Sequence, residues 1–339
     1  MPHPITLSSI FARRFACSFA AARRLLSCQR LPSIGALLLA PLLALPASGA
    51  HAALRVFACE PEWGALAQEL GGRFVDVTVA TSALQDPHQI QAKPSLIARA
   101  RNADLVVCTG AELEIGWLPV LLQQAGNSKV QPGQPGNFAA ADYVRKLDVP
   151  GQLDRAQGDV HAAGNPHIQT DPRNIAAVAV ALGARLQQID PAHAGEYAKA
   201  QADFAQRWQL AMARWSTLAA PLRGAAVASQ HKGFVYLYDW LALKEVAVLE
   251  PKPGVEPTAS HLQAVLAALK TTPARMVIYS AYQDPRASEW LSKNAAIPAV
   301  KIAFTVGGTD GAKDLFSLFD DTIARLLAAL AALAPGVKP

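Results

Sequence analysis

The sequence predicts an α/β protein with two parallel-sheet lobes and one long helix between them. Two observations support this prediction. β-like runs alternate with helical patterns in the first half of the chain, and the alternation resumes after residue 220, as expected for parallel sheets. Between these halves, residues 192–218 contain no proline and no glycine after Gly195. At about 1.5 Å per residue, this stretch predicts a rigid connecting helix of roughly 40 Å.

The first half reads as βαβαβ followed by a helix. We predict strands at 54–58, 74–79 and 104–108, and helices at 62–70, 94–102 and 112–125. Residues 127–165 are polar and rich in proline and glycine, which predicts a lid or mobile loop as much as regular structure. A helix at 173–189 then precedes the connecting helix.

The second half repeats this plan. Strands are predicted at 225–228, 245–249 and 275–280 and helices at 234–241 and 260–269, and the segments 285–294 and 299–304 and a final helix at 314–333 complete it. The final helix is amphipathic, since Asp320, Asp321 and Arg325 interrupt its apolar run. The expected organisation is a leader (1–52), a first lobe (53–190), the connecting helix (191–219) and a second lobe (220–339).

The leader has the anatomy of an export signal that is removed from the mature chain. It carries arginines, then an apolar run at 34–45, then small residues up to Ala52, and the run is too short for a membrane span. We therefore expect a periplasmic protein whose mature chain does not span the membrane. Cys28 has a lipoprotein-like context but precedes the apolar run, which argues against a lipid anchor.

The net charge does not indicate a nucleic-acid partner. The formal charge is +5, with 31 Lys and Arg against 26 Asp and Glu. Five arginines and no acidic residue lie in the leader, so the remaining chain has 26 of each sign. A balanced chain without a basic tract lacks the charge that neutralises phosphates.

Three histidines occupy the same kind of position. His88, His167 and His231 each lie in a loop that leaves a β-like run or opens a helix, which is the ligand-binding edge of parallel sheets. A lone histidine there is more often a surface or capping residue. Three imidazoles with one oxygen, however, make a common zinc shell.

Other polar residues near these loops have two interpretations each. Asp86 and Asp171 are placed to orient imidazoles as outer partners, although Asp171 suits a helix N-cap equally well. Glu60 is placed to approach the site, although a solvated helix start is the simpler explanation. Cys59 and Cys108 each end a β-like run and are expected either to form a disulfide or to remain two buried thiols. Three further histidines, His51, His193 and His261, are expected at the surface.

Several motifs resemble a known family. Asp86-Pro87-His88, the stretch NPHIQTDP at 165–172 and the stretch SQHKGFVYLYDWLAL at 229–243 resemble the signature segments of periplasmic zinc- and manganese-binding proteins of ABC importers, and Glu256-Pro257-Thr258 resembles a further segment. The likeness covers the chain from Leu54 onward. It implies two lobes with four-stranded parallel sheets and a metal held in the cleft by one histidine from each stretch. It also implies delivery to a membrane permease and its ATPase.

The chain departs from this family at two places. Manganese-type members carry an aspartate after Phe-Thr, where this chain has Val306, so Asp310 or water is expected to replace that ligand. Zinc-type members often carry a histidine-rich insertion, and His161 is the only additional histidine in the corresponding segment. We therefore expect His161 to serve as an auxiliary ligand and Zn²⁺, rather than Mn²⁺, to be the transported ligand.

The expected function is zinc capture by a monomer that catalyses nothing. One alternative is a manganese, iron or metal-chelate binding protein of the same architecture, in which Trp117, Tyr236 and Tyr238 would line the cleft unless they belong to the core. Another is a zinc hydrolase, but the sequence contains neither an HExxH helix nor a nucleophile elbow.

Overall fold

The computed structural model describes residues 52–152, 158 and 160–333. The predicted leader lies outside the described residues except for Ala52, as do residues 334–339. The first sheet and its helices are formed by β1 (Leu54–Ala58), α1 (Pro61–Gly71), β2 (Val75–Val79), α2 (Pro94–Asn102), β3 (Leu105–Cys108), α3 (Leu118–Ala125) and β4 (Asn137–Ala139). Their strands form a parallel sheet with the order β2-β1-β3-β4.

Two helices and a second sheet follow. The helices are α4 (Pro172–Ile189) and α5 (Ala194–Leu218), and the second lobe consists of β5 (Ala226–Ser229), α6 (Val235–Leu241), β6 (Lys244–Val248), α7 (Ala259–Thr271), β7 (Met276–Ser280), α8 (Arg286–Ala295), β8 (Ala299–Ile302) and α9 (Leu315–Ala332). The second sheet is also parallel, with the order β6-β5-β7-β8. Two four-stranded parallel sheets and a long helix confirm the predicted fold class.

The connecting helix α5 is fixed along its length by a buried stripe. Tyr197, Phe204, Trp208, Ala211 and Trp215 recur at helical spacing and are all buried. The Trp208 indole donates to the Pro172 carbonyl at the start of α4, and the Trp215 indole donates to Asp320 in α9. One cluster of buried apolar side chains includes residues of both sheets and of α5. This shared core holds the two sheets in a defined relation.

Two parts of the first lobe differ from the prediction. The helix expected at 112–125 begins only at Leu118; residues 111–117 form turns, in which Ala111 and Glu112 have positive φ of 49° and 67°. The segment 127–165, for which regular structure and a lid or mobile loop were equally expected, contains the strand β4, which pairs with β3 and buries Phe138. A three-residue strand is too short to show a period in the sequence, and pairing with β3 defines it.

No helix within the described residues combines the length and the apolar character needed to cross a bilayer.

Candidate metal centre

Three loops bring the predicted histidines together. His88 lies between β2 and α2, His167 lies just before α4, and His231 follows β5 by two residues. The Asn165 side chain links two of these loops, because its Oδ1 accepts from the His167 backbone N–H and its Nδ2 donates to the Lys232 carbonyl.

The three imidazoles converge on one point. One ligand nitrogen from each of His88, His167 and His231 lies within 4.8 Å of the others. The two Nε2 atoms of His167 and His231 are 3.4 Å apart. Tetrahedral zinc with bonds of about 2.0–2.1 Å requires its ligand atoms to be roughly 3.3–3.4 Å apart. This pair therefore has the separation that a zinc ion would impose.

Buried nitrogens at this site lack protein partners. His88 Nε2 and His167 Nδ1 are buried and make no hydrogen bond. An unpaired buried polar atom costs roughly 1–3 kcal/mol. Coordination of an ion at His88 Nε2 would offset one such cost, so the residues present fit a metal.

Carboxylates contact Nδ1 of two of the three rings. His88 Nδ1 lies 2.7 Å from Asp86 Oδ1, and His231 Nδ1 lies 2.7 Å from Glu250 Oε2. In both cases the carboxylate contacts Nδ1 rather than Nε2. Burial raises the pKa of Asp86, but the hydrogen bonds and charge of His88 outweigh it, and the net pKa is below the ordinary value. Glu250 was not singled out from the sequence, because its position beside His231 depends on the pairing of β6 with β5.

The environment of His167 favours the neutral imidazole, the form that binds a cation. Burial is the main cause that holds the pKa of His167 well below its ordinary value of 6.5, and the neighbouring His88, His231 and His161 lower it further. The ring is therefore neutral at pH 7 and its lone pair is available to a metal.

His161 lies beside the three converging rings but is not one of them. Its ring stacks on His88 with a centroid separation of 5.4 Å. It lines a cavity of about 90 Å³ together with His167, His231, Val160 and Pro253. Its nitrogens lie outside the converging set in this structure.

The other predicted site residues are placed elsewhere. Asp171 caps α4 by accepting from the Arg173 backbone N–H and pairs with the Arg173 side chain, which is the capping role. Asp310 is exposed and lies outside the converging set. Glu60 also lies outside that set and accepts from Thr109 Oγ1, and it is buried, so the expectation of a solvated helix start is wrong.

The aromatic residues considered as cleft lining are buried and support the loops. Trp117 donates its indole N–H to the Pro87 carbonyl, next to His88. Tyr236 donates its hydroxyl to the Asn165 carbonyl, two residues before His167. Tyr238 is also buried. Trp117 and Tyr236 thus stabilise the loops that carry two of the imidazoles.

Two histidines expected at the surface are partly buried. His193 lies 2.7 Å from Asp190 and stacks on Phe74, and His261 has a buried Nε2 without a hydrogen-bond partner. Cys59 and Cys108 are joined in a disulfide between the ends of β1 and β3, so these sulfurs are not metal ligands.

Three buried glutamates form an acidic cluster at the junction of the lobes, and sequence analysis missed their burial. Glu60 and Glu114 both accept from the Thr109 backbone N–H, and Glu62 accepts from Thr305 Oγ1 in the second lobe. Burial raises the pKa of Glu62 and of Glu114 to about 7, and that of Glu60 well above 4.5. The three carboxylates do not form a metal-ligand group with one another among the described residues; Glu114 lies beside Cys59 and Cys108, whose sulfurs are joined in the disulfide.

Replacing Glu62 with glutamine is expected to change how stability depends on pH. A carboxyl with a raised folded-state pKa stabilises the fold below pH 4.5, and this stabilisation is lost as the pH rises through about 7. Glutamine carries no charge and its amide oxygen still accepts from Thr305. At pH 8 the free energy of unfolding of Glu62→Gln should exceed that of the wild type by on the order of 1–3 kcal/mol.

Denaturant unfolding of the metal-free proteins at pH 5, 6, 7 and 8 measures this difference. Glu69→Gln is the matched control, because Glu69 lies on the same helix and pairs with Arg207 at the surface. That control should keep the wild-type slope of stability against pH. A wild-type slope in Glu62→Gln would contradict the prediction.

Comparison with known proteins identifies the family. The family described as "ZnuA: Zinc-uptake complex component A periplasmic" matches residues 56–329. The chain is 24% identical over 228 residues to the manganese ABC transporter substrate-binding lipoprotein PsaA of Streptococcus pneumoniae, covering 65% of this chain and 70% of that protein. It is also 24% identical over 265 residues to the high-affinity zinc uptake system protein ZnuA of Paracoccus denitrificans, covering 68% and 77%.

A longer relative also matches in sequence, and a solved structure has the same fold. The zinc-binding lipoprotein AdcA of Streptococcus pneumoniae is 19% identical over 279 residues, and the match spans 80% of this chain but 55% of AdcA. A crystal structure of ZnuA superposes with a TM-score of 0.68 at 20% identity, covering 82% of this chain and 99% of that one. These relatives are substrate-binding proteins and not enzymes, so the hydrolase alternative is wrong. The chain belongs to the zinc-uptake complex component A (ZnuA) family of metal ABC-transporter substrate-binding proteins.

Proposed function

We propose that this protein captures Zn²⁺ with His88, His167 and His231 and delivers it to an ABC-type importer. The observation that carries the proposal is the convergence of three imidazoles with a 3.4 Å separation between the Nε2 atoms of His167 and His231. The donor set consists of nitrogen, which suits zinc, whereas manganese prefers carboxylate and water oxygens. The relatives include both zinc and manganese proteins, so the alternative is a manganese or iron protein of the same architecture.

The fourth coordination position is proposed for His161 or for water. His161 stacks on His88 and lines the cavity that contains His167 and His231. Asp310 is exposed and Glu60 is engaged with Thr109, so neither is proposed as a ligand.

Export and delivery follow from the same proposal. The leader 1–52 would direct the chain to the periplasm and then be removed, leaving the first lobe, the connecting helix and the second lobe. The mature protein would act as a monomer and release its ion to a membrane permease powered by its ATPase.

Isothermal titration of the metal-free protein with zinc and with manganese tests the metal. We expect one zinc per chain and weaker binding of manganese by at least about 1.4 kcal/mol, a factor of about 10 in Kd. Equal or tighter binding of manganese would reject zinc as the transported ligand.

A further inference from the structure

Glu250 occupies a fixed position beside the proposed metal centre. The chain continues in register with β5 after the end of β6, because Leu249 N–H donates to the Ser229 carbonyl and Glu250 N–H donates to the Gln230 carbonyl. Pairing of this segment with β5 therefore places Glu250 next to His231. These two backbone hydrogen bonds fix the position of the Glu250 backbone relative to His231.

The carboxylate of Glu250 has two hydrogen-bond partners. Its Oε2 lies 2.7 Å from His231 Nδ1 and accepts from the Gly254 backbone N–H at 2.9 Å. Gly254 has a left-handed φ of 76°, and Pro253 next to it lines the cavity with His161. The carboxylate thus connects His231 to the loop that forms one wall of the cavity.

The three histidines differ in the hydrogen-bond partner of Nδ1. The Glu250 side chain is 12% exposed, whereas Asp86, the partner of His88, is 41% exposed. His167 Nδ1 has no partner. A hydrogen bond to a buried carboxylate is less weakened by water than one to an exposed carboxylate. His231 is therefore the imidazole with the most strongly held orientation.

A carboxylate at Nδ1 has two effects on a metal-binding imidazole. It accepts a hydrogen bond from Nδ1–H, which leaves the lone pair on Nε2, and it increases the basicity of the ring. It also supplies negative charge near a buried dication, which is costly to bury without compensation. Three neutral imidazoles supply no charge, so Asp86 and Glu250 together would balance the two positive charges of zinc.

We infer that Glu250 is a positioning residue that sets the zinc affinity of this protein by fixing His231 with Nε2 toward the cavity and by offsetting the charge of the ion. This inference rests on the proposed zinc function. Neither the sequence motifs nor the names of the relatives point to this residue.

Two substitutions separate orientation from charge. Glu250→Ala removes both, and zinc affinity is expected to fall by about 10- to 100-fold, the usual effect of removing an outer partner of a ligating histidine. Glu250→Gln keeps an oxygen that accepts from His231 Nδ1–H but removes the charge, so its affinity should lie between those of Glu250→Ala and the wild type. Glu245→Gln is the matched control, because Glu245 lies on β6 and bonds Ser229 rather than a histidine. Its affinity should remain within about 2-fold of wild type.

Nitrogen-15 NMR of the metal-free proteins provides a readout that a purely structural role would not change. In the wild type and in Glu250→Gln, the His231 ring should be one tautomer with the proton on Nδ1. In Glu250→Ala the His231 ring should be a mixture of the two neutral tautomers. A wild-type thermal midpoint in Glu250→Gln would show that the fold is intact.

The outcomes distinguish this inference from the function on which it rests. If the wild type binds zinc and both Glu250 variants bind it within about 2-fold of wild type, the inference is overturned and the zinc function stands. An unchanged His231 tautomer in Glu250→Ala also overturns the positioning role. If the wild type binds no zinc, both proposals fail.

Discussion

Replacing His167 with alanine is expected to abolish tight zinc binding. His167 is the most buried of the three converging histidines, at 1% exposed, and its Nε2 lies 3.4 Å from His231 Nε2. Losing an outer partner of a metal ligand costs about 10- to 100-fold in affinity, so losing the ligand itself should cost more than about 100-fold. Titration calorimetry with a competing chelator measures the change.

His193→Ala is the control for His167→Ala. His193 pairs with Asp190 before α5 and is not part of the converging set, so its removal should leave the zinc Kd within about 2-fold of wild type. Far-ultraviolet circular dichroism of both variants checks that each is folded. Wild-type zinc affinity in folded His167→Ala would show that the ion binds elsewhere.

Removing the disulfide is expected to destabilise the metal-free protein strongly. The bond between Cys59 and Cys108 closes a loop with a sequence separation of 49 residues. A cross-link over a loop of that length lowers the entropy of the unfolded chain by an amount worth about 4 kcal/mol, with measured values usually about 2–4 kcal/mol. Replacing both cysteines with alanine should lower the free energy of unfolding by this amount.

Denaturant unfolding with and without a thiol reductant tests the disulfide directly. Reductant should destabilise the wild type as much as the double substitution does, and it should leave the double variant unchanged. Zinc stoichiometry should remain one per chain, because neither sulfur is a proposed ligand. Equal stability of the oxidised and reduced wild type would contradict the prediction.

Local patterns were sufficient to predict most of the fold. The alternation of β-like and helical segments follows from periodicity that each segment carries by itself, and the long helix follows from the absence of proline. The start of α3 and strand β4 were missed for different reasons. The first follows turns in which Ala111 and Glu112 have positive φ, and the second depends on pairing with β3.

The site was predicted only where a motif marked it. His88, His167 and His231 were found through their loops and the family resemblance, and their role as ligands stays a prediction. Glu250 carries no local signal, since its place beside His231 follows from the order of β6 and β5. The buried state of Glu60, Glu62 and Glu114 was missed because burial depends on neighbours in space, whereas a local sequence pattern shows only neighbours along the chain.

Anomalous diffraction from a crystal of the zinc-loaded protein tests the central claim most directly. We expect one strong zinc peak with bonds of about 2.0–2.1 Å to nitrogens of His88, His167 and His231. A zinc ion bound elsewhere, or one with these three rings out of coordinating reach, would contradict the proposed metal centre.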